Sequence, residues 1–533
     1  MKTLDFFDAL KDAYKEYSRS SIFISYERIH QVVDHIIESN ALWPKELIQF
    51  NPSFKQGRSV DQMIEAKLPL HPALANFFPN NFYQHQEDAI VLGCQGKEFV
   101  VTSGTGSGKS RTFMATIFNY ILQHGNSTKD RTVAIIVYPM NSLINSQLQE
   151  LKGYKDNFEA QHGKGSCPIT FGKYTGQEDV LERQAIQDKP TNILLTNYMM
   201  LELLLTRDVE TQLRNNFLEN IRFLVFDELH TYKGMQGADV AILIRRIRAL
   251  AKHPVLCFGT SATMVADENI SAQERTLKVS QVASALFGST LTSEQIVDET
   301  LDISMFGQDP SIEELKACIR DTSFRSYVGK EHSEVAFTKE ECVKQEALLR
   351  SYPTALWLEH KIALNYDVSA AKYTRGNPAS LDDIAQKLCN IVNSSDLKEF
   401  SHQDCLDHIR NILLWCNDLN QSFAFYGDRK SVLPYKIHQF IRQTGTIYAT
   451  LADSNTRDIT LEERLYFDRS QFRGEHHKDD PYCYCPDSAK IKYFPLLFSR
   501  CTGHEFYVVS LTRLGKSDPL VTVIGNPFIS NYL

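Results

Sequence analysis

The chain has 533 residues, 43% of them hydrophobic and 23% charged, which supplies cores for about three domains at roughly 150 residues each. Its net charge of −8 excludes a surface coated in positive charge, though not a local basic track. No apolar run approaches the ~18–20 residues of a membrane span. The best candidate, 193–205, is broken by Asn197 and Glu202, and the first residues lack the apolar core of a signal peptide. The 11 cysteines are scattered without a framework, so a reducing, cytoplasmic compartment is expected.

In chain order, residues 1–75 carry amphipathic helical patterns, one of them over 22–38, and no recognisable chemistry. Pro69, Pro72 and Pro79 punctuate a linker. From 76 to 270, apolar runs at 99–103, 132–138, 192–196, 221–226 and 254–259 alternate with helical spacing. That alternation predicts an α/β fold with a doubly wound parallel sheet. Residues 271–430 read as largely helical, with segments at 279–287, 311–320 and 355–364. Within this stretch Ser380 stands three residues before Asp383, an N-cap pattern suited to helical packing or to the first helix of a winged helix. Residues 431–533 are mixed.

The chemistry sits at the ends of three of the apolar runs. The first leads into Ser103-Gly104-Thr105-Gly106-Ser107-Gly108-Lys109-Ser110, and helical spacing resumes at Phe113, Ile117 and Ile121. A strand, a glycine-rich turn and a helix N-terminus in that order make a phosphate cradle. Its backbone N–H groups face phosphate oxygens, Lys109 adds a charge at the β/γ-phosphates, and the Ser110 hydroxyl suits Mg²⁺. The fourth run closes on Asp227-Glu228-Leu229-His230. Two carboxylates at a strand end are by themselves a solvated strand end; below a phosphate cradle they become a Mg²⁺ ligand, Asp227, and a general base, Glu228. The fifth run ends in Gly259-Thr260-Ser261-Ala262-Thr263, hydroxyls placed to bond the acidic pair and relay nucleotide state.

On these residues the chain resembles the superfamily 2 helicases of the DEAD/DEAH-box type. Ser103 to Ser110 is similar to motif I, Asp227-Glu228-Leu229-His230 to motif II and Ser261-Ala262-Thr263 to motif III. Tyr83-Gln84-His85-Gln86 resembles the upstream glutamine motif, which implies that Gln86 reads the adenine edge. Pro139, Asn141 and Ser142 fall in a motif Ia-like run, Thr175-Gly176 in the threonine-glycine element and Thr196-Asn197 in motif Ib. The resemblance implies that these seven residues contact a nucleic-acid backbone, DNA ahead of RNA. The wording around the motifs resembles the Lhr-like group of large bacterial helicases. The implied fold is a RecA-like P-loop domain flanked by mostly helical N-terminal and C-terminal regions. The implied activity is ATP hydrolysis with Mg²⁺ driving a helicase or translocase. A nucleotide-gated nucleic-acid-binding module without unwinding stays open as the alternative. A P-loop ATPase acting on protein leaves motifs Ia and Ib without a purpose.

One family element is missing. Such helicases carry a second RecA-like domain with a Gln-Xaa-Xaa-Gly-Arg-Xaa-Gly-Arg-like run, and the nearest string here, Arg442-Gln443-Thr444-Gly445-Thr446, lacks the paired arginines. The expectation is a second domain beyond Leu533 or in another chain. Arg245, Arg246, Arg248, Lys252 and His253 form the densest basic run, read as a solvated helix face or a basic track. Cys483, Cys485 and Cys501, with His476, His477 and His504, offer a weak zinc spacing.

Overall fold

The parallel sheet expected between 76 and 270 is present and gains a strand at each edge. In the computed structural model its strands are β1 (Phe99–Thr102), β2 (Ala134–Tyr138), β3 (Phe171–Lys173), β4 (Ile193–Asn197), β5 (Phe223–Phe226), β6 (Leu256–Ser261) and β7 (Ile296–Asp298). They lie in the order β3-β4-β2-β5-β6-β1-β7, all parallel. The structure describes residues 10, 12–17, 19, 24–38, 45–104, 106–262, 272–321, 336–368, 371–394, 399–428, 430–438, 447–451, 459–460, 466–468, 490–498, 504–507, 511–513 and 521–523.

Helices cover both faces, so the central strands run apolar up to their carboxyl ends rather than alternating with polar residues. Alternation survives in which core each side chain enters. Phe99, Val101, Ile136, Leu195, Val225 and Phe258 face one core with Phe113, Ile117 and Phe118. Val100, Ile135, Val137, Leu194, Leu224, Phe226 and Cys257 face the other with Leu201, Leu243 and Phe287. This two-sided burial fixes the register, because a one-residue slip would exchange the two cores. The helices that matter for the site are α1 (Gln84–Cys94), α2 (Lys109–His124), α3 (Asn141–His162), α4 (Val180–Asp188), α5 (Tyr198–Thr206) and α6 (Gly234–Leu250).

The edge strands β3 and β7 fall outside the expected runs. Each has three residues, too few to show a period, and β7 extends the sheet past residue 270. Helices dominate from Ala272–Phe287 through Ile312–Arg320, Lys339–Arg350 and His402–Phe425. The helix expected over 355–364 is cut short. Pro353–Leu358 gives way to a π-helical turn, Glu359–Ala363, and Leu364 instead opens the antiparallel hairpin β8 (Leu364–Asp367) and β9 (Lys372–Arg375). Ser380 caps Leu381–Val392, accepting the Asp383 N–H at 3.1 Å. Beyond residue 434 the described residues are strands, not helices.

The chain forms two compact units. One comprises Phe50–Asn377 and Ile384–Tyr435 and holds the parallel sheet; the other comprises Met1–Gln49, Pro378–Asp383 and Lys436–Leu533. In the second, Ile29 and Val33 of the helix Glu27–Glu38 pack on Ile447, Ala449 and Leu496 of an antiparallel sheet.

Candidate nucleotide and nucleic-acid site

β1 delivers the chain into the phosphate loop at the carboxyl end of the sheet, where open α/β sheets bind ligands. Gly106 (φ 87°) and Gly108 (φ 68°) adopt left-handed backbone that favours glycine, and Gly108 starts α2. Ser103, where the strict motif has glycine, hydrogen-bonds Ser107 across the loop, Oγ to Oγ at 2.5 Å. Lys109 Nζ donates to the Ser103 carbonyl at 3.2 Å and lies 3.7 Å from Glu228 Oε1. From below, α1 buttresses the loop. Gln86 is fully buried, donates Nε2–H to the Ser107 and Gly108 carbonyls at 2.9 and 3.1 Å, and accepts the Tyr83 N–H at 3.0 Å. Its amide is thus engaged with the loop in this state rather than presented to an adenine. His85 shares that duty, its Nε2 lying 3.2 Å from the Ser107 carbonyl, and burial pushes its pKa down, so it is neutral with the proton on Nε2.

The acidic pair closes β5. Asp227 is 9% exposed, and burial lifts its carboxyl up to about 6, with the Glu228 charge adding to the shift and a Thr260 hydrogen bond opposing it. Thr260 Oγ1 bonds Asp227 and also accepts the Glu228 N–H at 3.2 Å. Glu228 sits at φ 52°, a strained conformation for a residue with a side chain. That turn sends its carboxylate towards Lys109 on one oxygen and His230 Nδ1, at 3.3 Å, on the other. His230 Nδ1 also lies 3.2 Å from Ser261 Oγ, and the Ala262 N–H reaches Glu228 Oε2 at 3.4 Å. Loop, acidic pair and hydroxyl turn therefore form one polar network at the ends of β1, β5 and β6. Thr260 is one of the hydroxyls expected to bond the acidic pair, whereas His230, met in the sequence only as part of the motif II-like run, was not singled out. Thr105 and Thr263 lie outside the described residues, as do Cys483, Cys485 and Cys501.

A second site opens beside β2 and β4, a groove of about 620 Å³. Pro139, Asn141, Thr175, Gly176 and Asn197 line it. Asn197 stitches these segments together. Its Oδ1 caps α5 by accepting the Met200 N–H at 2.8 Å, and its Nδ2 donates to Asn141 Oδ1 at 2.9 Å and to the Thr175 carbonyl at 3.4 Å. One expectation meets an obstacle here. Thr196 is fully buried with its hydroxyl on the Tyr174 carbonyl at 2.6 Å, because its place in β4 turns it into the protein. Ser142, in the first turn of α3, is exposed.

Three residues missed in the sequence shape this groove. Glu178 accepts the Thr175 N–H at 2.8 Å, the Thr175 hydroxyl at 2.7 Å and the Gly176 N–H at 2.9 Å. Burial alone would raise its pKa, but these bonds overcome burial and hold it below the ordinary carboxylate value. Arg183 on α4 donates to the Gly176 carbonyl at 2.6 Å, and Arg207 follows α5; both line the groove. The basic run on α6 is tied down instead. Arg246 pairs with Glu202 at 2.6 Å, Arg248 pairs with Glu98, and Arg245 donates to the carbonyls of Ala241 and Ala285.

Residues 83–270 match the DEAD/DEAH box helicase family. This segment is a DEAD/DEAH box helicase domain. Around it the chain is similar to the Druantia protein DruE of Escherichia coli, 24% identical over 34% of this chain and 16% of that protein. It is also similar to the ATP-dependent helicase Lhr-Core of Methanothermobacter thermautotrophicus, 27% identical over 34% of this chain and 22% of that one. The match thus spans less than a quarter of the length of either relative. Among solved structures, the DUF1998 helicase MrfA bound to DNA aligns over 53% of this chain and 35% of its own, with 20% identity and a TM-score of 0.37. The helicase domain contains both the nucleotide network and the groove. No described helix is long and apolar enough to cross a membrane.

Proposed function

We propose that this chain is the ATP-binding half of an ATP-dependent helicase or translocase that acts on nucleic acid, with a second RecA-like domain supplying the other wall of the nucleotide cleft. What supports the reading most is the single network joining Lys109, Asp227, Glu228, His230, Thr260 and Ser261. Lys109 Nζ bonds the Ser103 carbonyl and lies close to Glu228. Phosphate oxygens are stronger partners for its ammonium than a carbonyl. Once Lys109 moves to them, Glu228 is released to orient an attacking water and take its proton.

Asp227 and Ser110 fit Mg²⁺, because a carboxylate whose pKa burial has lifted to about 6 gains from a cation beside it. Asp227 and Ser110 would hold the ion, and the chemistry it would supply is positive charge beside the terminal phosphates. Eight free cysteines among the described residues favour a reducing, cytoplasmic setting.

Two substitutions test the reading. Lys109→Ala should abolish binding of a fluorescent ATP analogue, while Glu228→Gln should bind it normally and lose roughly 10²–10⁴ in turnover. Unchanged affinity in Lys109→Ala would remove the nucleotide-site assignment.

A further inference from the structure

The phosphate loop has a neighbour that the helicase motifs do not explain. Glu299, the residue after β7, accepts the Gly104 N–H through Oε2 at 3.0 Å. Arg375, at the end of β9, holds the same carboxylate with two parallel bonds, Nε to Oε1 at 3.2 Å and Nη2 to Oε2 at 3.1 Å. Its Nη1 donates to Asn51 Oδ1 at 2.8 Å and to the Phe50 carbonyl at 3.3 Å. A guanidinium carries five N–H donors in one plane. These bonds engage one on Nε, one on Nη2 and two on Nη1, which leaves one Nη2 N–H on a side chain only 13% exposed. Nη2 is also the atom nearest the loop, since a Cβ added to Gly104 would lie 3.1 Å from it.

The hairpin is built to hold the guanidinium there. Arg375 pairs with Leu364 across β8 and β9, and the chain then passes so close to the Ile362 carbonyl that a Cβ on Gly376 would fall 1.9 Å from its oxygen. Three residues back, Lys372 Nζ bonds Asp298 Oδ2 at 2.9 Å, and Asp298 also takes the Thr102 hydroxyl. Two ion pairs thus dock the hairpin on β7. The resting place of Lys109 indicates which end of the nucleotide comes near. Its ammonium, the group that serves the β/γ-phosphates, sits on the Ser103 carbonyl, next to Gly104.

We propose that Arg375 is a nucleotide-contacting residue supplied within the chain. Its remaining Nη2 N–H donates to an oxygen of the terminal phosphates of a bound nucleoside triphosphate, and Glu299 is the positioning residue that keeps the guanidinium in plane. The inference rests on the ATP-binding reading of the loop. In a site of low exposure, a pre-positioned cation acts on phosphate charge without reorganising at the moment of binding.

Calorimetric titration of the full 533-residue chain with a non-hydrolysable ATP analogue and with AMP tests this. Arg375→Ala should weaken the ATP analogue roughly ten- to a hundredfold, the loss of a charge-assisted hydrogen bond, and leave AMP binding unchanged. Arg375→Lys keeps the charge but lacks the planar fork, so its affinity should fall between; it carries the comparison if the alanine variant does not fold. Lys372→Ala loosens the hairpin without removing the donor, so its loss of affinity should be clearly smaller than that of Arg375→Ala. Folded Arg375 variants of unchanged affinity overturn the proposal. So does a loss in Lys372→Ala as large as that in Arg375→Ala, which would assign the effect to hairpin docking. If the parent chain binds no ATP analogue, or Lys109→Ala binds it equally well, the ATP-binding reading itself fails.

Discussion

Asp227 shows how a single residue sets stability against function. Its carboxyl is lifted by burial from the ordinary 3.8 up to about 6. Between those values the folded state binds more protons than the unfolded chain. Stability therefore falls as pH rises through that window, and the full cost is present at neutral pH. Asp227→Asn should accordingly stabilise the nucleotide-free protein at pH 7 by about 1–3 kcal/mol, the scale of a shift of two units. The gain should vanish as the pH approaches 4, and ATP hydrolysis should be lost at every pH. Urea unfolding across that pH range measures it, and an asparagine variant less stable than the parent at pH 7 would contradict the argument. The carboxylates themselves were plain in the sequence, as a pair after an apolar run. The left-handed backbone of Glu228 was not, because no composition signal marks a non-glycine residue held at φ 52°. Such strain costs about 1–3 kcal/mol and persists only where surrounding contacts over-determine it. Here Thr260 and His230, from a neighbouring strand and turn, provide those contacts.

At the scale of elements, what was legible depended on length. The five buried strands announced themselves as apolar runs, while β3 and β7, with three residues each at the sheet edges, gave no period to read. The hairpin β8–β9 hid behind a helical pattern that continues to Leu364, and only the π-helical turn at Glu359–Ala363 ends it. The groove was half visible. Its floor comes from short motifs, but the residues that charge it arrive on helices whose placement only the fold decides. Glu178 consumes the donors of Thr175 and Gly176, so the threonine-glycine element does not present those groups to a phosphate in this state. The cationic side chains left on the wall are Arg183 and Arg207. Arg183→Ala and Arg207→Ala should each weaken single-stranded nucleic-acid binding uniformly across sequences. Each should also lower the dependence of log affinity on log salt by roughly 0.7, the slope for one phosphate on a single strand. Arg183 also bonds the Gly176 carbonyl, so a purely structural role is the competing account. Reduced affinity with an unchanged salt slope would favour that account over phosphate contact.

At the scale of the whole molecule, the decisive quantity is the number of walls around the nucleotide. The unit Phe50–Asn377 with Ile384–Tyr435 contributes one parallel sheet with the glycine-rich loop and the acidic pair proposed above as Mg²⁺ ligand and base. The strands described from Ile447 on pair antiparallel. Arg442 to Thr446 lie outside the described residues. Binding and hydrolysis need the loop, the base and a cation opposite the terminal phosphate, and this chain has candidates for each. Unwinding needs more: two domains that close on ATP and reopen after hydrolysis, so that the grip on the strand shifts with each cycle. Among the described residues there is one wall and one groove, a grip without a stroke. Residues 1–533 should therefore bind single strands, hydrolyse ATP slowly, and leave a fluorescent forked duplex intact with ATP present. In the same assay, a longer chain or a partner that brings a second RecA-like domain should restore strand separation and raise hydrolysis, by as much as roughly 10³–10⁵ where its arginine completes the site. Robust ATP-dependent unwinding by 1–533 alone would place a divergent second motor domain within residues 431–533 and retire the one-wall account.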